Sequence, residues 1–311
     1  MLLIPLLAVL LGVAGVALTA GRSAAALAAG ADPTPAGRQL VERFIERSRR
    51  WRRNGALAGI LAMITVAVVA ETELTGRSAL AGDMLSPLYG FVPLWTPLAG
   101  AVLGGVLAEG HRVRPGGRRV ASLEVRDVDD YRDRVAHRRI ALVASASAGA
   151  ALAGAAWGAA VAASVAGFAV IGGLVAAQRW TIRWIALRPR PAVSGDLRRA
   201  DDLVRRLAAA GGVGRPTATL AALVASAQYH AIATSDAAPT DVAGGAQVAS
   251  LVLLAAAVTW WWSNRDLGLT PDRARRTGSW RSSTALRWTL AIVALTAVPV
   301  IVMLARVGVG W

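Results

Sequence analysis

Three aspartates in one polar segment have the residue type and the spacing to bind a divalent cation. The segment reads Asp129-Asp130-Tyr131-Arg132-Asp133, and carboxylates at i and i+4 share one face of a helix. Carboxylate oxygens are the protein ligands that Mg²⁺ uses when it holds substrate phosphates. Asp129, Asp130 and Asp133 are therefore candidate catalytic residues for a membrane enzyme that acts on a prenyl or lipid diphosphate.

The surrounding sequence favours a simpler interpretation of these aspartates. Alternating charge is typical of a solvated helix face, and five arginines flank or interrupt the motif: Arg126, Arg132, Arg134, Arg138 and Arg139. The other acidic residues, Asp196, Asp201 and Asp202, are a poor substitute for the second acidic motif that such an enzyme would need. The sequence thus predicts no catalytic residue, no metal and no cofactor, and the enzyme is kept as an alternative.

Four polar residues in otherwise apolar segments are candidates for ligand binding: Gln228, Tyr229, His230 and Gln247. Polar side chains within a membrane are functional candidates by default. His230 has no acidic partner in an apolar segment, so a proton relay would lack its second member. We therefore expect a His–Gln hydrogen bond that ties two helices together.

Several kinds of chemistry are excluded or disfavoured by what the sequence lacks. It contains no cysteine, which excludes disulfides and thiolate chemistry, and no lysine for a Walker A motif. Neither HExxH nor G-x-S-x-G occurs. The apolar segments hold no Asp or Glu beyond their edges, which disfavours ion coupling and intramembrane hydrolysis.

Membrane helices must position these residues. The 311-residue chain is 55% hydrophobic with a mean hydropathy of +0.49, and its apolar residues are collected in long uncharged runs. About 20 apolar residues cross a bilayer core as a helix. We predict an all-α transmembrane bundle that forms one domain, 1–311, with about eight spans at 1–20, 55–70, 85–107, 140–157, 160–177, 218–234, 243–262 and 286–305.

Two features of the charge pattern set the predicted topology. Residues 140–177 carry no charge, and as one helix they would be nearly twice as long as a bilayer core is thick, so a hairpin turning near Trp157-Gly158 is predicted. All 34 basic residues are arginine, and all but Arg77 and Arg306 fall in alternate predicted loops. The positive-inside rule therefore places both termini outside the cytoplasm. Since topology explains the net charge of +15, nucleic acid is not predicted as a partner.

Two cytoplasmic loops carry predicted amphipathic helices. In residues 38–53 the apolar side chains share one face, and we expect this helix to lie on anionic lipid at the basic inner face: Leu40, Val41, Phe44, Ile45 and Trp51. In residues 194–209 the apolar face is formed by Leu197, Ala200, Val204 and Leu207. Asp201–Arg205 and Asp202–Arg206 are expected there as i,i+4 surface pairs, each contributing a few tenths of a kcal/mol.

Glycine spacing predicts close packing of helices inside one bundle. Three GxxxG pairs allow neighbouring backbones to approach: Gly55/Gly59, Gly100/Gly104 and Gly154/Gly158. The order of loops also suggests that the chain is a parallel duplication, with residues 39–44 corresponding to 202–207.

Two segments carry a family resemblance. Residues 118–123, followed by Arg126 and Asp130-Tyr131, are similar to a recurrent segment of uncharacterised multi-pass membrane proteins of actinobacteria. Residues 188–191, followed by 200–202 and Arg205, resemble a second segment of that group. The resemblance implies an integral protein of the plasma membrane and carries over no activity and no functional residue.

Together these patterns predict a bacterial plasma-membrane protein without an evident catalytic site, namely a permease or an accessory subunit of a transport system. Its expected partners are the lipid bilayer and a membrane or transporter subunit. The two alternatives are the diphosphate-directed enzyme described above and a structural or regulatory membrane partner.

Overall fold

The computed structural model describes residues 34–74, 92–110, 127–188 and 195–263, and in these ranges the chain is helical without any strand. The predicted spans at 1–20 and 286–305 lie outside the described residues, as does the start of the span predicted at 85–107. The helices are α1 (Pro35–Leu74), α2 (Val92–Gly110), α3 (Arg134–Trp157), α4 (Val161–Leu187), α5 (Gly195–Leu207), α6 (Arg215–Ala233) and α7 (Thr240–Ser263). A 3₁₀ turn, Val128–Tyr131, precedes α3, and a π-helical segment, Ala208–Gly214, joins α5 to α6.

Four of the helical stretches in the described ranges are long and apolar enough to cross a membrane. They are Arg134–Trp157, Val161–Leu187, Leu197–Ala233 and Thr240–Trp261, with mean hydropathies from 1.2 to 1.8. Each contains most or all of a span predicted from the sequence, at 140–157, 160–177, 218–234 and 243–262. In its described ranges the chain is therefore all-helical, and these four helices indicate a membrane protein.

The turn between α3 and α4 makes the predicted hairpin. Helix α3 ends at Trp157 and α4 begins at Val161, so only three residues connect two antiparallel helices. Gly158 and Ala160 have φ angles of 64° and 49°, in the left-handed region that tightens such a turn. The predicted hairpin of two helices within 140–177 is confirmed.

Helix α6 is the centre of the bundle. It packs against α3, α4 and α7, and α2 also contacts it. Of the most apolar window in Leu197–Ala233, 89% is buried inside the protein, against 33%, 28% and 33% for the other three candidate spans. The other three thus present most of their apolar surface outward, as helices do when they face lipid.

Helices α1 and α2 cross at glycines. A Cβ added to Gly55 would lie 2.1 Å from the Gly100 carbonyl oxygen, and one added to Gly100 would lie 2.1 Å from the Gly55 oxygen. Gly59 and Gly104 meet backbone of the opposite helix in the same way. Two of the three predicted GxxxG pairs therefore pack on each other. In the third pair only Gly154 packs closely, because Gly158 lies in the turn with nothing near it.

The apolar face of residues 38–53, which was predicted to lie on anionic lipid, packs against protein. The segment is the first part of the 40-residue helix α1, and Val41, Phe44 and Ile45 are buried in a cluster with Val204 and Leu207 of α5. Protein rather than headgroups thus covers this face. The two segments compared as a possible duplication pack on each other here, while the duplication itself stays a prediction.

Candidate functional site

The acidic motif is split between a turn and a helix start. Asp129 and Asp130 lie in the exposed 3₁₀ turn, where the Asp127 side chain accepts a hydrogen bond from the Asp129 backbone N–H at 2.9 Å. Asp129 forms an exposed ion pair with Arg132 at 2.8 Å. Because the motif is not one helix, its carboxylates do not share a helical face.

Asp133 is engaged in holding α3 and α6 together. Its carboxylate caps α3 by accepting the Val135 N–H at 2.9 Å, and its other oxygen accepts a hydrogen bond from Nε of Arg215 at the start of α6. The Asp133 side chain is 10% exposed, so this ion pair is largely withdrawn from water. Within the described ranges, no three His, Asp or Glu side chains come together as a metal-binding group.

A polar cluster joins three helices around Gln228 of α6. The Ser147 hydroxyl of α3 donates to Gln228 Oε1 at 2.7 Å, and Gln228 Nε2 donates to the Ser164 carbonyl of α4 at 2.6 Å. Gly167 gives the amide room, since a Cβ there would lie 2.4 Å from Gln228 Cγ. Gln228 bonds to serines rather than to His230, so the expected His–Gln bond is wrong for this residue.

The other three predicted ligand-binding residues are placed differently. Tyr229 is buried, and its hydroxyl donates to the Ala146 carbonyl of α3 at 3.0 Å. His230 and Gln247 are partly exposed. Gln228 and Tyr229 thus fasten α6 to its neighbours, and the structure does not gather the four residues around a shared cavity.

A buried ion pair caps the end of α4. Arg205 donates from Nε to Asp201 at 2.8 Å, and the two side chains are 2% and 3% exposed. Its Nη1 also donates to the carbonyls of Ile185 and Arg188 at 3.0 and 2.7 Å. The last carbonyls of a helix have no partner within the helix, so Arg205 satisfies groups that α4 leaves open and opposes its dipole.

The predicted i,i+4 pair of Asp201 and Arg205 is present, but its burial was not predicted from the sequence. Asp202 and Arg206, one position further along α5, do form an exposed pair at 2.9 Å. Asp202 also accepts a hydrogen bond from the Tyr131 hydroxyl at 2.6 Å, which docks the 3₁₀ turn on α5. The sequence feature that could have indicated the burial of Arg205 is its position next to Val204, which lies on the buried face of α5.

The π segment is held by side chains from two helices. Arg52 of α1 donates from Nη2 to the Gly211 carbonyl at 3.0 Å, and Gln178 of α4 donates to the Gly214 carbonyl at 3.3 Å. Burial, with a smaller effect of Arg49, lowers the pKa of Arg52 to about 10, so its guanidinium stays charged at neutral pH. Sequence reasoning missed this site, although π segments occur often at functional sites.

All of these charged contacts lie at one end of the bundle. Asp133–Arg215 joins the starts of α3 and α6, and Arg188 hydrogen-bonds the Glu109 carbonyl near the end of α2 at 2.7 Å. Arg139 lies over the ring of Trp260 near the end of α7, 5.0 Å from its centroid. We call this the basic end, formed by Arg52, Arg139, Arg188, Arg205 and Arg215. The described loops predicted as cytoplasmic are thus on one side of the bundle.

Comparisons of the chain with protein-family models, with curated proteins and with solved structures found no match. Function must therefore be argued from the geometry of the chain itself.

Proposed function

We propose that this chain is a non-enzymatic, multi-pass component of a bacterial plasma membrane, and that it serves as an accessory subunit of a transport system. The observation that carries the proposal is the closed interior around α6. Two of its buried polar side chains are hydrogen-bonded to neighbouring helices: Gln228 to α3 and α4, and Ser226 to α7, where it donates to the Ser250 carbonyl at 2.8 Å.

This interior suits a scaffold better than a permease. A substrate site in a transporter lies near the middle of the membrane and needs polar groups that face a cavity. Here Gln228 is fully buried, and both ends of its amide are hydrogen-bonded to protein. The apolar perimeter of the bundle is better suited than its interior to binding a partner, because it carries exposed large side chains. Leu152 of α3, Trp180 of α4 and Val258 of α7 are 59–71% exposed. We propose that a second membrane protein packs on part of this perimeter.

Co-purification of the full-length chain from its native membrane in mild detergent tests the function. We expect a second integral membrane protein at fixed stoichiometry, and slower substrate uptake by that partner when the chain is deleted. A multi-pass protein of unrelated fold, purified in the same way, is the control for detergent carry-over. Recovery of the chain alone, together with Mg²⁺-dependent prenyl diphosphate binding that Asp129→Asn abolishes, would support the enzyme alternative instead.

The proposed topology has about eight spans, both termini outside and the basic end in the cytoplasm. Because the chain contains no cysteine, single cysteines report accessibility without background. We expect a membrane-impermeant maleimide to label Asp236→Cys in intact cells. Asp130→Cys and Arg199→Cys, which are also exposed in the structure, should be labelled only after permeabilisation. The opposite labelling pattern would show that the orientation is inverted.

A further inference from the structure

A basic cavity lies on the outer face of α1, at the basic end of the molecule. It is an open surface pocket of about 300 Å³, and its lining residues all belong to α1: Arg43, Glu46, Arg47, Arg50 and Trp51. At 100° per residue these side chains point away from Val41 and Ile45, which pack against α5. The charged side chains of the cavity are therefore on the face of α1 opposite its contact with α5.

The charge of the cavity is suited to an anion. Three guanidinium groups face one carboxylate, which leaves a net charge of about +2 at the cavity wall. Among the residues that the structure describes, Arg43, Arg47 and Arg50 form no ion pair with an acidic side chain. A guanidinium presents its donors in a planar fork that matches two oxygens of a phosphate.

The position of the cavity identifies the source of that phosphate. The predicted membrane segment of α1 begins at Gly55, so residues 43–51 lie roughly 6–18 Å along the helix from it, at 1.5 Å per residue. Arg50 and Trp51 therefore lie within the headgroup layer, which extends roughly 5–8 Å beyond the core, and Arg43 and Arg47 lie in the water next to it. Trp51 at the membrane-proximal edge is the residue type enriched at this interface.

We propose that Arg43, Arg47 and Arg50 form a binding site for the phosphate headgroup of an anionic phospholipid, with Trp51 packing beside its glycerol backbone. Clusters of arginine immediately next to a membrane segment recognise anionic lipids in this way. The site does not depend on the proposed function, because lipid binding is measurable whichever protein the chain assembles with.

Native mass spectrometry of the full-length protein in detergent, with phosphatidylglycerol or phosphatidylcholine added, tests the site. We expect retained phosphatidylglycerol and little phosphatidylcholine, and a loss of affinity of about tenfold or more for R43Q/R47Q/R50Q. The matched control is R134Q/R183Q/R199Q, which removes the same charge from exposed positions outside the cavity. Unchanged thermal melting of both variants would show that folding is retained, and the single change R47Q gives the same test if the triple variant is unstable.

Two results would overturn the site. Equal loss of lipid from the control variant would show that only overall charge attracts phosphatidylglycerol. Displacement of the lipid by an excess of inorganic phosphate, with equal binding of phosphate alone, would show that the cavity takes a soluble anion rather than a headgroup.

Discussion

Arg205→Gln is expected to destabilise the protein by about 3–5 kcal/mol, because it breaks a buried ion pair by removing the cation that bonds Asp201. Asp201 is 3% exposed, and the carbonyls of Ile185 and Arg188 lose their donor in the same change. A loss of this size should lower the melting temperature in detergent by roughly 6–20 °C, on the scale of 2–4 °C per kcal/mol for a chain of somewhat smaller size.

The adjacent residue supplies a matched control. Arg206→Gln makes the same chemical change in the same helix, but the Arg206 side chain is 53% exposed. We expect that change to cost about 1 kcal/mol or less, as surface ion pairs do. A double variant, Asp201→Asn with Arg205→Gln, should recover part of the loss, since it removes the buried carboxylate together with the cation that paired with it. Equal melting temperatures for Arg205→Gln and Arg206→Gln would contradict the buried placement of Arg205.

Gly100→Leu is expected to separate α1 from α2 and to cost about 3 kcal/mol, at the upper end of the usual range for overpacking. A Cβ at this position has the Gly55 carbonyl oxygen 2.1 Å away, so relaxation requires a movement of backbone and not of a flexible side chain. Thermal melting in detergent measures the effect, and the mirror change Gly55→Leu should give a similar loss.

Gly172 and Gly173 of α4 provide the comparison for this substitution. Nothing lies within 4 Å of a Cβ at either position, and both residues are exposed. Gly172→Leu should therefore be close to neutral, or slightly stabilising because leucine favours a helix more than glycine does. If Gly100→Leu and Gly172→Leu melted alike, the close crossing of α1 and α2 would be wrong.

The sequence was informative where a pattern is local. Length and charge alone predicted the hairpin of α3 and α4, because one helix spanning 140–177 would be nearly twice as long as a bilayer core is thick. The GxxxG pairs of α1 and α2 were predictable as packing sites, since spacing of four places both glycines on one face. Residues 38–53 were also correctly predicted to be helical, although that helix continues into the next predicted span.

The tertiary contacts were not predictable in this way. Asp201–Arg205 and Asp202–Arg206 have the same i,i+4 pattern, and the packing of α5 against α1 and the end of α4 decides which pair is buried. The apolar face of 38–53 gives no sign of whether lipid or protein covers it, because both environments are apolar. Gln228 meets its partners across 81 and 64 positions of sequence, a distance over which helical periodicity says nothing.

The π segment between α5 and α6 fixes the relative rotation of the two helices. Its hydrogen bonds run to the fifth preceding residue, as from the Arg215 N–H to the Ala210 carbonyl. The segment therefore contains about one residue more than an α-helical segment would in the same place. Removing one residue here would turn α5 by roughly 100° relative to α6 and carry Arg205 away from the end of α4. The number of residues between Leu207 and Arg215 is therefore constrained independently of their identity. One small residue can therefore replace another in this segment. An insertion or deletion is not tolerated in the same way, because it rotates the buried face of α5 relative to the buried face of α6.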